Sequence, residues 1–182
     1  MPQPIVGTVL PDFQLPGVDG KMVSMSNYAT AKGFIIVFTS NTCLVSKDYE
    51  QKLSQINKWY SKKGFPLIVI NSGEISEKNR DNSLASMTEV ANRKKIAYSY
   101  LSDSTQAVAK LYNVETTPYS LLLVKEDGKY VSRYIGAIDG GDVQGGDPQD
   151  KYLSDAVEAT IAGKSIEVAA TPELGCPIIF NK

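Results

Sequence analysis

The stretch Phe34-Ile35-Ile36-Val37-Phe38-Thr39-Ser40-Asn41-Thr42-Cys43 carries the clearest structural signal in this chain. This stretch begins with the continuous apolar run Phe34-Ile35-Ile36-Val37, rich in β-branched side chains, which predicts a buried strand at 34–39. After Cys43 the apolar residues recur at helical spacing, which predicts a helix over about 43–61. Cys43 is therefore predicted to lie where a strand passes into the first turn of a helix.

This position of Cys43 favours redox chemistry. The start of a helix presents unpaired N–H groups and the positive end of the helix dipole, so a thiol there tends toward thiolate. Redox thiols of the Cys-x-x-Cys kind use the same geometry, but position 40 is a serine here. The alternative interpretation, that Cys43 is a small buried hydrophobic residue, stays open at this point.

Length and charge describe an ordinary globular protein. The 182 residues are enough for a sizeable core, and we predict a single domain over 1–182. Lys and Arg number 19 against 20 Asp and Glu, and no basic cluster marks a nucleic-acid-binding surface. We therefore predict no nucleic-acid partner.

Histidine is absent from the sequence. This removes the commonest metal ligand and the commonest general base, and it excludes Cys-His and Ser-His-Asp hydrolases. Two distant cysteines do not supply the three or four ligands of a zinc site. We predict neither a metal site nor a cofactor, so the chemistry depends on thiols, hydroxyls and backbone amides.

The sequence shows no apolar run of membrane-spanning length, and residues 1–4 lack the basic and apolar regions of a signal peptide. Two cysteines in a chain of this length do not make a secreted disulfide framework. We expect a cytoplasmic protein without a membrane partner.

The order of predicted elements indicates an α/β protein. Continuous apolar strands that alternate with helices pair in parallel, so we expect a central mixed β-sheet flanked by helices, with an antiparallel edge and an N-terminal β-hairpin. The further predicted elements are a hairpin turn at Gly17–Gly20, a strand at 66–70, a helix at 83–95, a strand at 98–101, a short helix that opens with Asp103 and Gln106 as reciprocal caps, a hairpin of 119–124 and 129–135, a flexible loop at 139–147, a helix at 148–162 and an irregular tail at 164–182.

Four segments together resemble the thioredoxin superfamily, specifically its peroxiredoxin-like branch, the alkyl hydroperoxide reductase and thiol-specific antioxidant group. The resemblance extends to a bacterial thioredoxin-like subgroup and implies a thioredoxin-like fold over nearly the whole chain. The segments are Leu10-Pro11-Asp12-Phe13-Gln14-Leu15 with Asp19-Gly20-Lys21, the stretch from Phe38 to Cys43, the dipeptide Thr117-Pro118, and Gly136-Ala137-Ile138-Asp139 followed by Tyr152-Leu153 and Gly175-Cys176.

The resemblance implies roles for individual residues. In thioredoxins the first motif cysteine attacks, but Ser40 stands at that position, so a dithiol cycle within the motif is impossible. In peroxiredoxins the attacking cysteine corresponds to Cys43, three residues after a Thr or Ser, which implies Cys43 and Ser40 as catalytic residues. The family holds a cis-proline opposite this turn, where the backbone before it faces an extended substrate. The implied substrate-binding residues are Thr39, Thr42, Thr117 and Pro118.

Two features of the peroxidase pattern are missing. Its proline, four residues before the hydroxyl residue, is Ile36 in this sequence, and its arginine has no counterpart within 116–124.

Cys176 has two interpretations, a tail residue packed against the body or a resolving thiol that reaches Cys43. The sequence leaves both open, and it does not predict an oligomeric state.

Two functional hypotheses follow. In the first, Cys43 works as a single reactive thiol that attacks a peroxide or a mixed disulfide, of a protein or a small molecule, and a thiol donor supplies the electrons. In the second, the fold is a binding module without redox activity, and the groove between the Cys43 turn and Thr117-Pro118 holds an extended peptide.

Overall fold

Residues 5–141 and 149–181 are described by the computed structural model of this chain. The strands are β1 (Val9–Leu10), β2 (Leu15–Pro16), β3 (Met22–Val23), β4 (Gly33–Thr39), β5 (Leu67–Asn71), β6 (Ser99–Ser102), β7 (Thr116–Thr117), β8 (Tyr119–Glu126), β9 (Lys129–Gly136) and β10 (Cys176–Pro177). The α-helices are α1 (Leu44–Asp48), α2 (Glu50–Tyr60), α3 (Leu84–Lys94), α4 (Ala107–Leu111) and α5 (Tyr152–Ile161), and 3-10 turns cover Met25–Asn27 and Ser61–Lys63.

The main sheet is mixed, with the strand order β1-β9-β8-β4-β5-β6. The strands β4, β5 and β6 are parallel, whereas β8 pairs antiparallel with β4 and β9 pairs antiparallel with β8. The turn between β8 and β9 places Asp127 at φ 48° and Gly128 at φ 75°, which is the left-handed pair that a tight hairpin requires. The predicted mixed sheet flanked by helices is confirmed, and β1 is an edge strand that the sequence did not predict.

Strand β4 is buried on both faces, as its continuous apolar sequence predicts. Phe34, Ile36 and Phe38 pack into one core cluster, together with the N-terminal segment and α4. Ile35 and Val37 point to the other face, into a cluster formed by α2, α3 and α5. The end of β4 is therefore packed on both faces, and this fixes the point where the following turn at 40–43 begins.

The N-terminal hairpin is formed by β2 and β3, which pair Leu15 with Val23 and Pro16 with Met22. Beyond this pair, the backbone N–H of Val18 donates to the carbonyl of Tyr100 at 3.0 Å. The hairpin is therefore attached to β6 at the far edge of the sheet.

Two predicted helices differ from the structure. The single helix over 43–61 is two helices, because the Tyr49 N–H bonds to the Ser46 carbonyl three residues back and closes α1 before α2 begins. The short helix after Asp103 begins only at Ala107, because Gln106 takes a left-handed conformation with φ 58°. The Asp103 carboxylate still caps that helix, since it accepts from the N–H groups of Val108 and Ala109 at 3.2 and 2.9 Å.

The sequence predicted an irregular tail at 164–182, but part of this tail forms regular pairing. Its strand β10 pairs antiparallel with β7, and Ala170 forms a parallel bridge with Ile135. The predicted helix at 148–162 begins at Tyr152, with residue 148 outside the described residues. Most of the loop predicted at 139–147 also lies outside them. Among the helices of the described part, none combines the length and apolar character that a membrane span needs.

Candidate functional site

Cys43 lies between the end of β4 and the start of α1. Its N–H donates to the Ser40 carbonyl at 3.2 Å, and its own carbonyl accepts from the N–H of Lys47 at 3.2 Å. A turn over 40–43 therefore leads directly into the helix, and Cys43 takes the residue position immediately before it. The side chain is buried, with 2% of its surface exposed. The backbone on both sides holds Cys43 in place.

Cys43 forms a disulfide with Cys176, 133 residues later in the chain. The Cα atoms are 5.9 Å apart, within the usual range for a disulfide. This corrects the expectation of a single free thiol at position 43, because the sulfur is already paired in this state. It also favours the second interpretation of Cys176, as the partner that reaches Cys43. Sequence spacing alone could not show the pairing, since it depends on where the tail runs.

Thr117 lies against this disulfide. The Cys43 Sγ is 3.2 Å from the Thr117 carbonyl oxygen. The peptide bond from Thr117 to Pro118 is cis, and Thr117 pairs with Cys176 while Thr116 pairs with Pro177. In this structure the tail of the same chain therefore pairs along Thr116–Thr117, the place where the second hypothesis puts an extended peptide.

Ser40 supports the turn. It is buried, its hydroxyl lies 2.8 Å from the Thr42 Oγ1, and it donates to the Asn82 Oδ1 at 3.2 Å. The Thr42 N–H donates back to the Ser40 Oγ at 3.3 Å. These bonds join Ser40 to the residues around it rather than to the disulfide, and they indicate a positioning role for its hydroxyl in this state.

Asn82 is a site residue that the sequence did not single out. Its Oδ1 accepts from the backbone N–H of Asn41 at 2.7 Å, and its Nδ2 donates to the Glu74 carbonyl at 3.0 Å. The side chain is almost completely buried, 42 residues from Ser40 in sequence. A lone asparagine before a helix is also typical of a loop, so no sequence signal distinguished it.

Gly73 makes room for this asparagine. A Cβ at position 73 would lie 2.4 Å from both the Asn82 amide and the Ser40 hydroxyl oxygen. Because backbone hydrogen bonds fix the residues on both sides, the close approach requires glycine. Its N–H donates to the Asn71 Oδ1 at 3.0 Å, which ties the end of β5 to the same network.

A tyrosine completes the polar network behind the turn. The Tyr100 hydroxyl donates to the Asn41 Oδ1 at 2.6 Å and accepts from the Asn71 Nδ2 at 3.1 Å. Burial raises the pKa of Tyr100 above its ordinary value, so the hydroxyl stays a neutral donor. The sequence predicted this residue only as part of the strand at 98–101.

A cleft of about 370 Å³ opens beside the disulfide. The predicted site residues divide there: Ser40, Thr42, Cys43, Thr117 and Cys176 line it, whereas Thr39 and Pro118 are not among its lining residues. Thr39 is buried at the end of β4, where its carbonyl accepts from the Ser72 N–H at 3.1 Å. Of the described residues that line the cleft, Glu74 has the only charged side chain.

The tail is held beyond the disulfide by backbone and side-chain hydrogen bonds. The Ile178 N–H donates to the Glu115 carbonyl at 2.7 Å, and the Ile178 side chain joins the core. Gln106 donates from Nε2 to the Ile179 carbonyl at 2.9 Å, and its Oε1 accepts from the Asn181 N–H at 2.6 Å. The predicted capping role of Gln106 is thus wrong, because its amide binds the tail and, through Nε2, the Ser72 carbonyl.

The family model of the AhpC/TSA family matches residues 6–134. The chain belongs to the AhpC/TSA family. The matched range includes the Cys43 turn, Asn82 and Thr117 but ends before Cys176. No curated protein matches this AhpC/TSA family member.

Solved structures resemble this family member over nearly its whole length. A hypothetical protein from Sinorhizobium meliloti 1021 is 25% identical with a TM-score of 0.87, over 97% of this chain and 95% of that chain. An uncharacterized conserved protein from Geobacillus kaustophilus is 26% identical with a TM-score of 0.87, over 100% of this chain and 97% of that chain.

A more distant similarity identifies the fold by name. A thiol:disulfide interchange protein of the thioredoxin family from Chlorobium tepidum TLS is 20% identical with a TM-score of 0.60, over 86% of this chain and 98% of that chain. At this identity the likeness concerns the fold alone. The chain has the thioredoxin-like fold that the sequence predicted.

Proposed function

We propose that this chain is a thiol–disulfide oxidoreductase whose redox couple is formed by Cys43 and Cys176. The observation that carries the proposal is the disulfide between them, which joins the end of a core strand to the C-terminal tail inside a cleft. This proposal replaces the single-thiol mechanism with a two-cysteine mechanism in which the second thiol lies outside the usual motif.

The two cysteines differ in how firmly they are held, and this assigns their roles. Cys43 lies between β4 and α1 and is buried, whereas Cys176 lies in a two-residue strand of the tail and is partly exposed. A fixed thiol suits the attack on a substrate, and a thiol on a tail suits the second step, because it can move aside and return. We therefore assign attack to Cys43 and resolution to Cys176.

The proposed reaction transfers two electrons. The Cys43 thiolate attacks one sulfur of a substrate disulfide, a bond forms between the two sulfurs, and the other substrate sulfur leaves as a thiolate. The Cys176 thiolate then attacks the Cys43 sulfur and releases the second substrate thiolate. The substrate is reduced to two thiols, which take up the protons of the two cysteines, and the protein is left with the Cys43–Cys176 disulfide. A donor dithiol then reduces that disulfide and is itself oxidised.

A disulfide substrate is favoured over a peroxide by the charge of the cleft. Reactive thiolates with a strongly lowered pKa usually lie near Lys, Arg or His⁺. The described residues that line this cleft include no Lys or Arg, and the chain has no histidine. In the cytoplasm, which remains the proposed compartment, a disulfide is usually a transient state of a catalytic or sensing cycle.

The proposal is tested by trapping the intermediate. Reduced Cys176→Ser protein is incubated with insulin, and a mixed disulfide on Cys43 is expected, since the resolving thiol is missing. The reduced unaltered chain is expected to release insulin thiols and to regain the Cys43–Cys176 bond, with both products mapped by mass spectrometry.

Cys43→Ser is the matched control, with one thiol left in the tail. It is expected to form the mixed disulfide far more slowly than Cys176→Ser. If the trapped bond forms on Cys176 alone, or if neither thiol reacts faster than a model thiol, the assignment is wrong. A parallel reaction with hydrogen peroxide tests the other substrate class: peroxide consumption that outpaces disulfide exchange by orders of magnitude would overturn the proposed substrate.

A further inference from the structure

The tail covers the β7 edge in the manner of an added strand. Cys176 lies opposite Thr117 and Pro177 opposite Thr116, and the next residue continues the pairing through the bond from the Ile178 N–H to the Glu115 carbonyl. A strand that adds to an exposed edge is a common way for a domain to bind an extended peptide. Here the added strand carries the cysteine that is bonded to Cys43.

The contacts of this strand are selective at two positions. At position 175, a Cβ would lie 2.1 Å from the Thr117 carbonyl oxygen, so the register leaves room only for glycine before the cysteine. At position 178, the isoleucine is 9% exposed and packs into the core cluster. Pro177, between them, is exposed, so packing restricts the side chain at this position less.

The attachment of the tail is uneven along its length. Leu174 and Ile179, on either side of the strand, are 60% and 62% exposed. The strand itself is held by its short ladder, by Ile178 and by the disulfide. The residues around it are held by hydrogen bonds at Gln106, by the hydrogen bond between the Thr116 hydroxyl and Glu173, and by Phe180, which packs against the core. Reduction removes the covalent part of this attachment and leaves only noncovalent contacts, with which a second peptide would compete.

We propose that residues 175–178 are an internal copy of the substrate. The substrate is an extended polypeptide segment whose disulfide-bonded cysteine follows a glycine and precedes an apolar residue by two positions. This inference rests on the proposed function and names its substrate class. In the reduced protein the segment replaces the tail on Thr116–Thr117, and its cysteine takes the position of Cys176 beside Cys43.

The exchange step balances as a thiol–disulfide reaction. The Cys43 thiolate attacks the cysteine sulfur of the bound segment, and the sulfur that had been bonded to this cysteine leaves as a thiolate. The return of the tail then brings the Cys176 thiolate to the Cys43 sulfur and releases the segment as a thiol. The tail is thus both the resolving group and the competitor that removes the product.

The test uses a synthetic peptide with the sequence of residues 172–180, its cysteine bonded to 2-nitro-5-thiobenzoate. Reduced full-length Cys176→Ser protein is mixed with the peptide, and release of the coloured thiolate measures attack by Cys43. We expect a Gly175→Ala peptide and an Ile178→Glu peptide each to react about tenfold more slowly. The Leu174→Ala peptide is the matched control, because Leu174 is exposed and does not line the cleft, and it is expected to react at the parent rate.

The mixed disulfide of free cysteine with the same thiobenzoate reports the reactivity of Cys43 without strand pairing. If all the peptides react at one rate while Cys43 attacks the cysteine reagent, the internal-copy proposal is wrong and the proposed function stands. If Cys43 attacks neither peptide nor reagent, both are wrong. The reduced unaltered chain gives a second measurement: its Cys176 is expected to release the parent peptide as a free thiol after the coloured burst.

Discussion

Cys176 lies directly opposite Thr117 in the β7–β10 ladder, and its sulfur is bonded to Cys43, whose own sulfur is 3.2 Å from the Thr117 carbonyl oxygen. One backbone position therefore contacts both halves of the disulfide. The tail is consequently placed by main-chain pairing as well as by the covalent bond, so changes in either should be measurable in the other.

Reduction of the disulfide should lower the stability of the fold. The bond closes a loop between residues 133 positions apart, and such a crosslink restricts the unfolded chain. We expect the free energy of unfolding to fall by about 2–4 kcal/mol on reduction. Urea unfolding with and without a reductant measures the change. Cys176→Ser is the control, since its midpoint should not respond to the reductant, and equal midpoints for the two states of the unaltered chain would contradict this prediction.

Gly175→Ala should make the disulfide easier to reduce. The added Cβ would lie 2.1 Å from the Thr117 carbonyl oxygen, so the tail must shift out of its ladder to accommodate it. The shift weakens the pairing of β10 with β7, and this destabilises the oxidised state more than the reduced state, in which the disulfide does not hold the tail in place. Equilibration in glutathione buffers should therefore show a larger reduced fraction, with an equilibrium constant changed about tenfold.

Leu174→Ala is the control for that measurement. It changes the neighbouring residue, which is mostly exposed, and leaves the ladder unchanged. An unchanged equilibrium constant for Gly175→Ala would show that the tail tolerates a side chain at this position.

The sequence predicted the strand and helix around Cys43 better than the long-range contacts that complete the site. The apolar run of β4 and the helical spacing after Cys43 are local patterns, and they placed the cysteine correctly between strand and helix. The Asp127-Gly128 turn is also local, and its hairpin is where the sequence predicted it. These features depend on residues that are close together in the chain.

The features that the sequence left open or missed depend on contacts between distant residues. The bond from Cys43 to Cys176 and the amide of Asn82 each join positions far apart in sequence. Gln106 was misassigned because its local pattern fits a helix cap, whereas its amide binds the tail. A single sequence contains no signal for such pairings, since they are fixed only when the sheet brings the segments together.

Asn82→Ala should destabilise the protein and disturb the Cys43 turn. The substitution leaves the Asn41 N–H and the Glu74 carbonyl, both in partly buried residues, without their described side-chain partner. Each such loss costs about 1–3 kcal/mol, so we expect a lower urea midpoint. We also expect slower attack by Cys43 on a small disulfide reagent under conditions where the variant is folded.

The matched control for this variant is Asn92→Ala, because position 92 is exposed on α3. It should leave both the midpoint and the rate of Cys43 unchanged. If Asn82→Ala lowers stability while the rate stays at the parent value, Asn82 supports the fold but does not position the turn.

The buried tyrosines should make the fold sensitive to alkaline pH. Burial raises the pKa of Tyr60 and of Tyr134 from 10.0 to about 12. In the unfolded chain these phenols ionise near pH 10, whereas in the folded chain they stay neutral until about pH 12. Because the folded pKa is the higher one, their stabilising contribution is complete below pH 10 and is lost as the pH rises toward 12.

Urea midpoints measured between pH 9 and pH 12 should therefore decline above roughly pH 10. Tyr60→Phe keeps the buried ring and removes the ionisable hydroxyl, so its midpoint should decline less steeply over the same range. Absorbance of tyrosinate in the native protein provides an independent measurement, because the buried phenols should ionise later than the exposed ones. A slope in Tyr60→Phe that equals the slope of the unaltered chain would mean that Tyr60 titrates normally in the fold, and the assignment of the alkaline limit to its burial would be wrong.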